Sequence, residues 1–102
     1  MSLTASASAD GKTVTMRLSG RFEFADHADF RAGYNLVSPA NSNYILDMSR
    51  VDYMDSAALG MLVVLYERTG KDRKRVVLKG CTPEVLKILE ISKFDQLLTI
   101  ER

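Results

Sequence analysis

A chain of 102 residues has room for one compact core and not for two. With 46% hydrophobic and 26% charged residues, its composition is that of a folded globular domain, which excludes disordered and fibrous classes. Fourteen Lys and Arg against thirteen Asp and Glu leave a formal net charge of +1, so the molecule lacks the positive field that drives binding to nucleic acid, and no direct nucleic-acid partner is expected.

The opening Met1-Ser2-Leu3-Thr4-Ala5-Ser6 has neither the basic nor the apolar region of an export signal. No stretch reaches the roughly 18 apolar residues of a membrane-spanning helix, so a cytoplasmic protein with no membrane partner is expected. From Thr13 to Ser19, Val14, Met16 and Leu18 alternate with Thr13, Thr15 and Arg17, the period-two pattern of a half-buried strand. Asp10-Gly11 before it suits a type I′ turn with positive φ at both central residues, which predicts that Leu3 to Ala9 pairs antiparallel with that strand. Gly20-Arg21-Phe22-Glu23 is read as the turn that follows.

Ala25 to Val37 predicts a helix with Ala28, Phe30, Tyr34 and Val37 on one face and Asp26 or Asp29 near its start. The segment Ser38-Pro39-Ala40-Asn41-Ser42-Asn43 ends it. Tyr44 to Met48 is a short apolar run consistent with a buried strand, leading into a polar turn around Ser49-Arg50-Val51-Asp52. Ala57 to Tyr66 holds no charged residue, and its length and flanks favour a helix. Lys71, Arg73, Lys74 and Arg75, relieved by Asp72, form a solvated turn. Arg75 to Lys79 reads as a strand. Cys81, the only cysteine, rules out an internal disulfide and suits a reducing compartment. Thr82-Pro83-Glu84 sets a capping hydroxyl, a proline and an acid where a helix begins, and that helix runs to about Ser92 with Val85, Leu86, Ile88 and Leu89 turned partly to the sheet. Leu97 to Ile100 supplies a last strand. The order predicts a single α/β domain over residues 1–102, a mixed sheet of about five strands with an N-terminal hairpin, covered by about three or four helices.

The stretch Leu46-Asp47-Met48-Ser49-Arg50-Val51-Asp52-Tyr53-Met54-Asp55-Ser56-Ala57-Ala58-Leu59-Gly60 resembles the core motif of STAS domains of the anti-sigma-factor antagonist type, in which Asp-Ser stands at the mouth of a helix. The similarity takes in the Gly20-Arg21-Phe22-Glu23 segment and the Thr82-Pro83-Glu84-Val85 helix start, and so covers nearly the whole chain. The resemblance implies that Ser56 is phosphorylated by a partner anti-sigma factor acting as a serine kinase and restored by a PP2C-type phosphatase. It implies further that the unmodified protein holds the anti-sigma factor, freeing a sigma factor for transcription, and that the phosphorylated form lets go. The family's frequent Asp-Ser-Ser-Gly-Leu-Gly is Asp55-Ser56-Ala57-Ala58-Leu59-Gly60 here, which leaves one hydroxyl at the helix mouth. The family's usual Asp after the second strand is Glu23, which keeps the charge one methylene farther out.

Physical chemistry allows such a switch. A phosphate on a serine at a helix N-terminus meets free backbone N–H groups and the positive end of the dipole, so the fold tolerates the added charge of about −1.5 to −2. Asp52 and Asp55 already make the loop acidic, and further charge there disfavours a closely docked partner. The simpler alternative is that Ser56 or Asp55 is only an N-cap, worth roughly 1 kcal/mol. The following helix is apolar around most of its circumference. Ala57 and flexible Met61 near its start are therefore read as partner-binding residues beside Glu23, Asp52, Asp55 and Ser56, the alternative being a helix buried between core and loops.

His27 is the only histidine and sits among Asp26 and Asp29. One histidine and one cysteine make no metal site, and no cofactor is expected. Asp-Ser-Ala-Ala-Leu-Gly is not a Gly-x-Ser-x-Gly nucleophile elbow, so catalysis by Ser56 is not expected. A non-catalytic STAS scaffold within a signalling or lipid-transport complex is the alternative function.

Overall fold

The computed structural model describes residues 2–101. Strand β1 (Ser2–Ala7) pairs antiparallel with β2 (Thr13–Phe22), and β3 (Asn43–Met54), β4 (Val76–Lys79) and β5 (Thr99–Glu101) follow in parallel, giving the sheet order β1-β2-β3-β4-β5. Three helices connect them: α1 (His27–Tyr34), α2 (Ser56–Arg68) and α3 (Pro83–Ile91). Right-handed crossovers that all step the same way along a sheet put their helices on one face. Burial follows that rule. Val14, Met16 and Leu18 of β2, Tyr44, Leu46 and Met48 of β3, and Val76 and Leu78 of β4 join one core with Leu62 and Leu65 of α2 and Val85 and Leu89 of α3. The alternate residues, among them Thr4, Arg17, Asp47, Lys79 and Glu101, stand on the opposite face, exposed or half-buried. The expected covering of the sheet is thus one-sided.

The expected mixed sheet and hairpin are present, but several local expectations are corrected. The hairpin is not type I′, because only Gly11 of the Asp10-Gly11 pair has positive φ (71°). A four-residue loop closes instead, with Gly11 N–H donating to Ser8 O at 2.9 Å and Ser8 N–H to Thr13 O at 2.8 Å. Asp10 stabilises it by accepting from Ser8 Oγ (2.6 Å) and Lys12 N–H (3.0 Å). Neither Gly20 to Phe22 nor Ser49 to Asp52 is a turn. Both belong to strands β2 and β3, whose pairing shifts register between Arg17 and Ser19 and again between Gly20 and Arg21, the latter step assisted by Gly20 at φ 86°. Polar residues there mark a bulged strand rather than its end.

Helix α1 is shorter than Ala25 to Val37. A 3₁₀ turn, Phe24–Asp26, precedes it, and Glu23 N–H donates to the Asp26 carboxylate at 2.9 Å. Ala28 is exposed, and Gly33 takes the sheet-facing place, where a Cβ would lie 2.8 Å from Met16 Cε. Phe30 and Tyr34 do face inward, in a chain of rings from Phe22 (5.1 Å to Phe30) through Tyr34 (5.6 Å from Phe30) to Tyr44 (6.5 Å from Tyr34). α3 matches its expected start, with Thr82 as N-cap and Pro83 in the first turn. The last strand is Thr99–Glu101, shifted from Leu97 to Ile100, because Leu98 is fully buried ahead of it.

Arg75 is not part of a solvated turn. Its guanidinium donates to Ala40 O (2.8 Å), Thr69 O (2.9 Å), Pro39 O (3.4 Å) and Ser42 O (2.7 Å), while Arg73 Nε donates to Asp95 O at 2.8 Å. Lys71 and Lys74 are exposed, as expected.

The fully buried Tyr44 donates its hydroxyl to Tyr34 O at 2.5 Å. Burial, aided by the nearby Tyr34, pushes its phenol from 10.0 up to about 12. An unfolded chain ionises that group first, so the stability it confers is full below pH 10 and is lost as the pH rises toward about 12. Urea midpoints across that range are expected to fall, and Tyr44→Phe to flatten the alkaline decline. An equally steep decline in Tyr44→Phe would assign it to other groups.

Candidate functional site

The C-terminal ends of β2 and β3 lie side by side, with Phe22 and Met54 as register partners. That pairing brings the segment after β2 against the start of α2. Asp55 N–H donates to Phe22 O at 3.3 Å, and the Asp55 carboxylate then joins the two elements. One oxygen accepts from Ala58 N–H at 2.8 Å and the other from Phe24 N–H at 3.2 Å. Asp55 is therefore the N-cap, and Ser56 is the first helical residue. The first helical hydrogen bond is Leu59 N–H to Asp55 O at 3.3 Å, so the Ser56 and Ala57 amides lie ahead of the ladder, at the positive end of α2. Ser56 is exposed, and its hydroxyl makes no hydrogen bond to another described residue. A cap role thus belongs to Asp55, leaving the Ser56 hydroxyl open to solvent.

Of the other expected site residues, Asp52 is exposed on β3, while Glu23, Asp55 and Ala57 are half-buried. Met61 is corrected: it is 5% exposed and packs in the core, because the α2 positions of Ala58, Met61, Leu62 and Leu65 turn to the sheet. It offers almost no surface to a partner. The outer side of α2 keeps Val64 41% exposed, with Leu59, Val63 and Tyr66 packed partly on the core, so most of the apolar circumference is accounted for by burial.

Three residues that sequence reasoning missed complete the surface. Phe24 is 70% exposed, its ring stacked 6.4 Å from that of His27. Arg21 lies 4.2 Å over the Tyr53 ring and pairs with Glu23 through Nε at 3.4 Å. Period-two reading sends Phe22 and Phe24 to the same side, and only the 3₁₀ turn after β2 separates the buried ring from the exposed one. His27 engages Phe24, and among the described residues no hydrogen bond joins it to Ser56. Cys81 is a half-buried free thiol whose pKa burial pushes up, which makes it a poor nucleophile. No group of three or more His, Cys, Asp or Glu placed to hold a metal ion occurs among the described residues, and no described helix is long and apolar enough to cross a membrane.

Residues 5–99 match the family described as "Mlab, STAS domain". The chain belongs to the STAS domain family. Within it, the chain is 44% identical over 100 residues to a STAS-domain containing protein of Pseudomonas aeruginosa (strain UCBPP-PA14), covering 98% of this chain and 99% of that one. Its fold is similar to that of the anti-sigma factor antagonist SpoIIAA in its unphosphorylated form, with a TM-score of 0.79 at 18% identity over 99% of this chain and 89% of that chain. The phosphorylated form of Bacillus SpoIIAA gives a TM-score of 0.65 at 17% identity, over 99% and 92% of the two chains. At these identities the structural likeness establishes the STAS fold, and the roles of residues rest on the geometry above.

Proposed function

We propose that this STAS domain is an anti-sigma-factor antagonist that works by partner switching in the cytoplasm. Unmodified, it binds an anti-sigma factor across the mouth of α2. Phosphorylated on Ser56 by that factor's serine-kinase activity, it releases it, and a PP2C-type phosphatase resets it. The observation that carries the reading is the exposed Ser56 hydroxyl as first residue of α2, beside a cap already filled by Asp55. A phosphate there sits at the positive helix end without displacing a structural bond. The surface around it, acidic at Glu23 and Asp52 and aromatic at Phe24, is one that a phosphate makes more strongly negative and more heavily hydrated. The likeness to an antagonist solved in both unphosphorylated and phosphorylated forms supports the same reading. Incubation with the anti-sigma factor and ATP should yield a single phosphosite, at Ser56, by mass spectrometry. Phosphate found elsewhere, or none, would overturn the assignment.

Phe24 is the apolar anchor of that surface. An exposed ring next to a charged rim is what the centre of a protein interface uses. Phe24→Ala is expected to weaken partner binding about tenfold, equivalent to about 1.4 kcal/mol, with a nearly unchanged melting temperature because the ring is 70% exposed and stacks on the exposed His27. Wild-type affinity in Phe24→Ala would remove the ring from the interface.

Catalysis by Ser56 is not part of the proposal, since among the described residues no base bonds to its hydroxyl. A second reading is a non-catalytic STAS scaffold subunit of a signalling or lipid-transport complex, and a relative at 44% identity described only as a STAS-domain containing protein is compatible with it. It predicts a partner whose affinity is indifferent to charge at Ser56.

A further inference from the structure

The helix-free face of the sheet carries a groove of about 380 Å³ between β1, β2 and β3. Its floor follows from the register. Thr4 stands opposite Arg17 and Arg17 opposite Asp47, and in the next row Ser2 stands opposite Ser19 and Ser19 opposite Arg50. Between these rows β3 carries one residue more than β2, and this bulge leaves both Ser49 and Arg50 exposed where strict alternation would turn one of them inward. The result gathers two guanidinium groups and four hydroxyls around one concavity.

Among the described residues, neither Arg17 nor Arg50 donates a hydrogen bond or makes an ion pair within 4.0 Å, and the hydroxyls of Ser2, Thr4 and Ser19 are likewise without hydrogen-bond partners. The one carboxylate, Asp47, is held to its own strand by Ser49 Oγ–H (2.7 Å) and Ser49 N–H (3.0 Å). Those bonds first, then the fields of Arg17 and Arg50, lower its pKa and keep it ionised. Farther along this face Lys79 and Glu101 form a 4.0 Å ion pair. At the groove two guanidinium groups face a single carboxylate.

We propose that this groove binds a small phosphomonoester of a polyol. The two guanidinium forks would take the phosphate oxygens, as planar donors do best, with the Ser2, Thr4 and Ser19 hydroxyls as further donors. Asp47, with lone pairs left over after Ser49, would accept from a hydroxyl of the polyol. No aromatic side chain lines the groove, so a nucleobase finds no stacking platform there. The site lies on the face opposite the helices, and the inference does not rest on the reading of Ser56.

Titration of the isotope-labelled protein with glycerol 3-phosphate, followed by amide shifts, tests it. Saturating shifts confined to Thr4, Arg17, Ser19, Ser49 and Arg50 are expected, with inorganic phosphate at the same amides more weakly. The double variant Arg17→Gln/Arg50→Gln, in which both replaced side chains are exposed, should lose at least tenfold in affinity without losing its fold. Shifts that never saturate, that spread over the whole surface, or that persist in the double variant would overturn the site. Binding to phosphatidate-containing vesicles that glycerol 3-phosphate fails to compete away would overturn the soluble ligand in favour of a lipid headgroup.

Discussion

Ser56→Asp is expected to weaken binding to the anti-sigma factor by at least about 100-fold, some 2.7 kcal/mol, while Ser56→Ala stays within about threefold of wild type. The asymmetry follows from where the side chain sits. The Ser56 hydroxyl makes no hydrogen bond among the described residues, so removing it orphans none of them. A carboxylate at the same place adds charge next to Asp55 and near Glu23, and a docked partner must desolvate it without a basic group to offset the cost. The fold itself is indifferent or slightly favoured, since an acid in the first turn of α2 faces the positive end of the helix and is worth roughly 0.3 to 1 kcal/mol there. Affinities and melting temperatures measured together separate the two effects. Equal, wild-type affinity for both variants would sink the partner-switching reading and leave the scaffold reading standing.

The long-range plan of the molecule was legible because it is written in short periods. Val14, Met16 and Leu18 announce β2 by alternation, and Thr82-Pro83 announces α3 by capping chemistry, with no knowledge of neighbours needed. What misled was polarity inside strands. Ser49 and Arg50 look like a turn because both are hydrophilic, but a bulge satisfies them in place by turning both to solvent on an open sheet face. Met61 failed for the opposite reason. An apolar helix gives no stripe from which to choose its buried side, and only docking on the sheet decides that Met61 goes in and Val64 stays out. At the site, the Asp55-Ser56 pair was readable from the chain, whereas the bond from Phe24 N–H to Asp55 spans 31 positions and depends on the β2–β3 register. Phe24 becomes a functional candidate only through that bond.

The basic run from Lys71 to Arg75 hides a structural cation, and its removal is the second large effect expected. Arg75→Met should cost about 3 kcal/mol of folding stability, a fall of roughly 10 to 20 °C in melting temperature for a domain of this size. The four carbonyls it serves come from two places, Pro39, Ala40 and Ser42 in the connection from α1 to β3, and Thr69 at the end of α2. Ser42 and Thr69 are only 2% and 1% exposed, so once the guanidinium is gone water has poor access to their acceptors. Methionine keeps the apolar stem and isolates the loss of donors. Each hydrogen bond to a charged group is worth about 1.5 to 3 kcal/mol, and two buried acceptors left unsatisfied account for the total after some relaxation. Arg75→Lys should recover little, because one ammonium cannot reach carbonyls that the planar fork serves from two nitrogens at once. Partner affinity of the folded fraction should remain that of wild type, since Arg75 acts at the N-terminal edge of β4 while the Ser56 surface lies past the C-terminal ends of β2 and β3. A melting temperature for Arg75→Met within about 2 °C of wild type would mean less than 1 kcal/mol and would show that these carbonyls are served equally well by solvent.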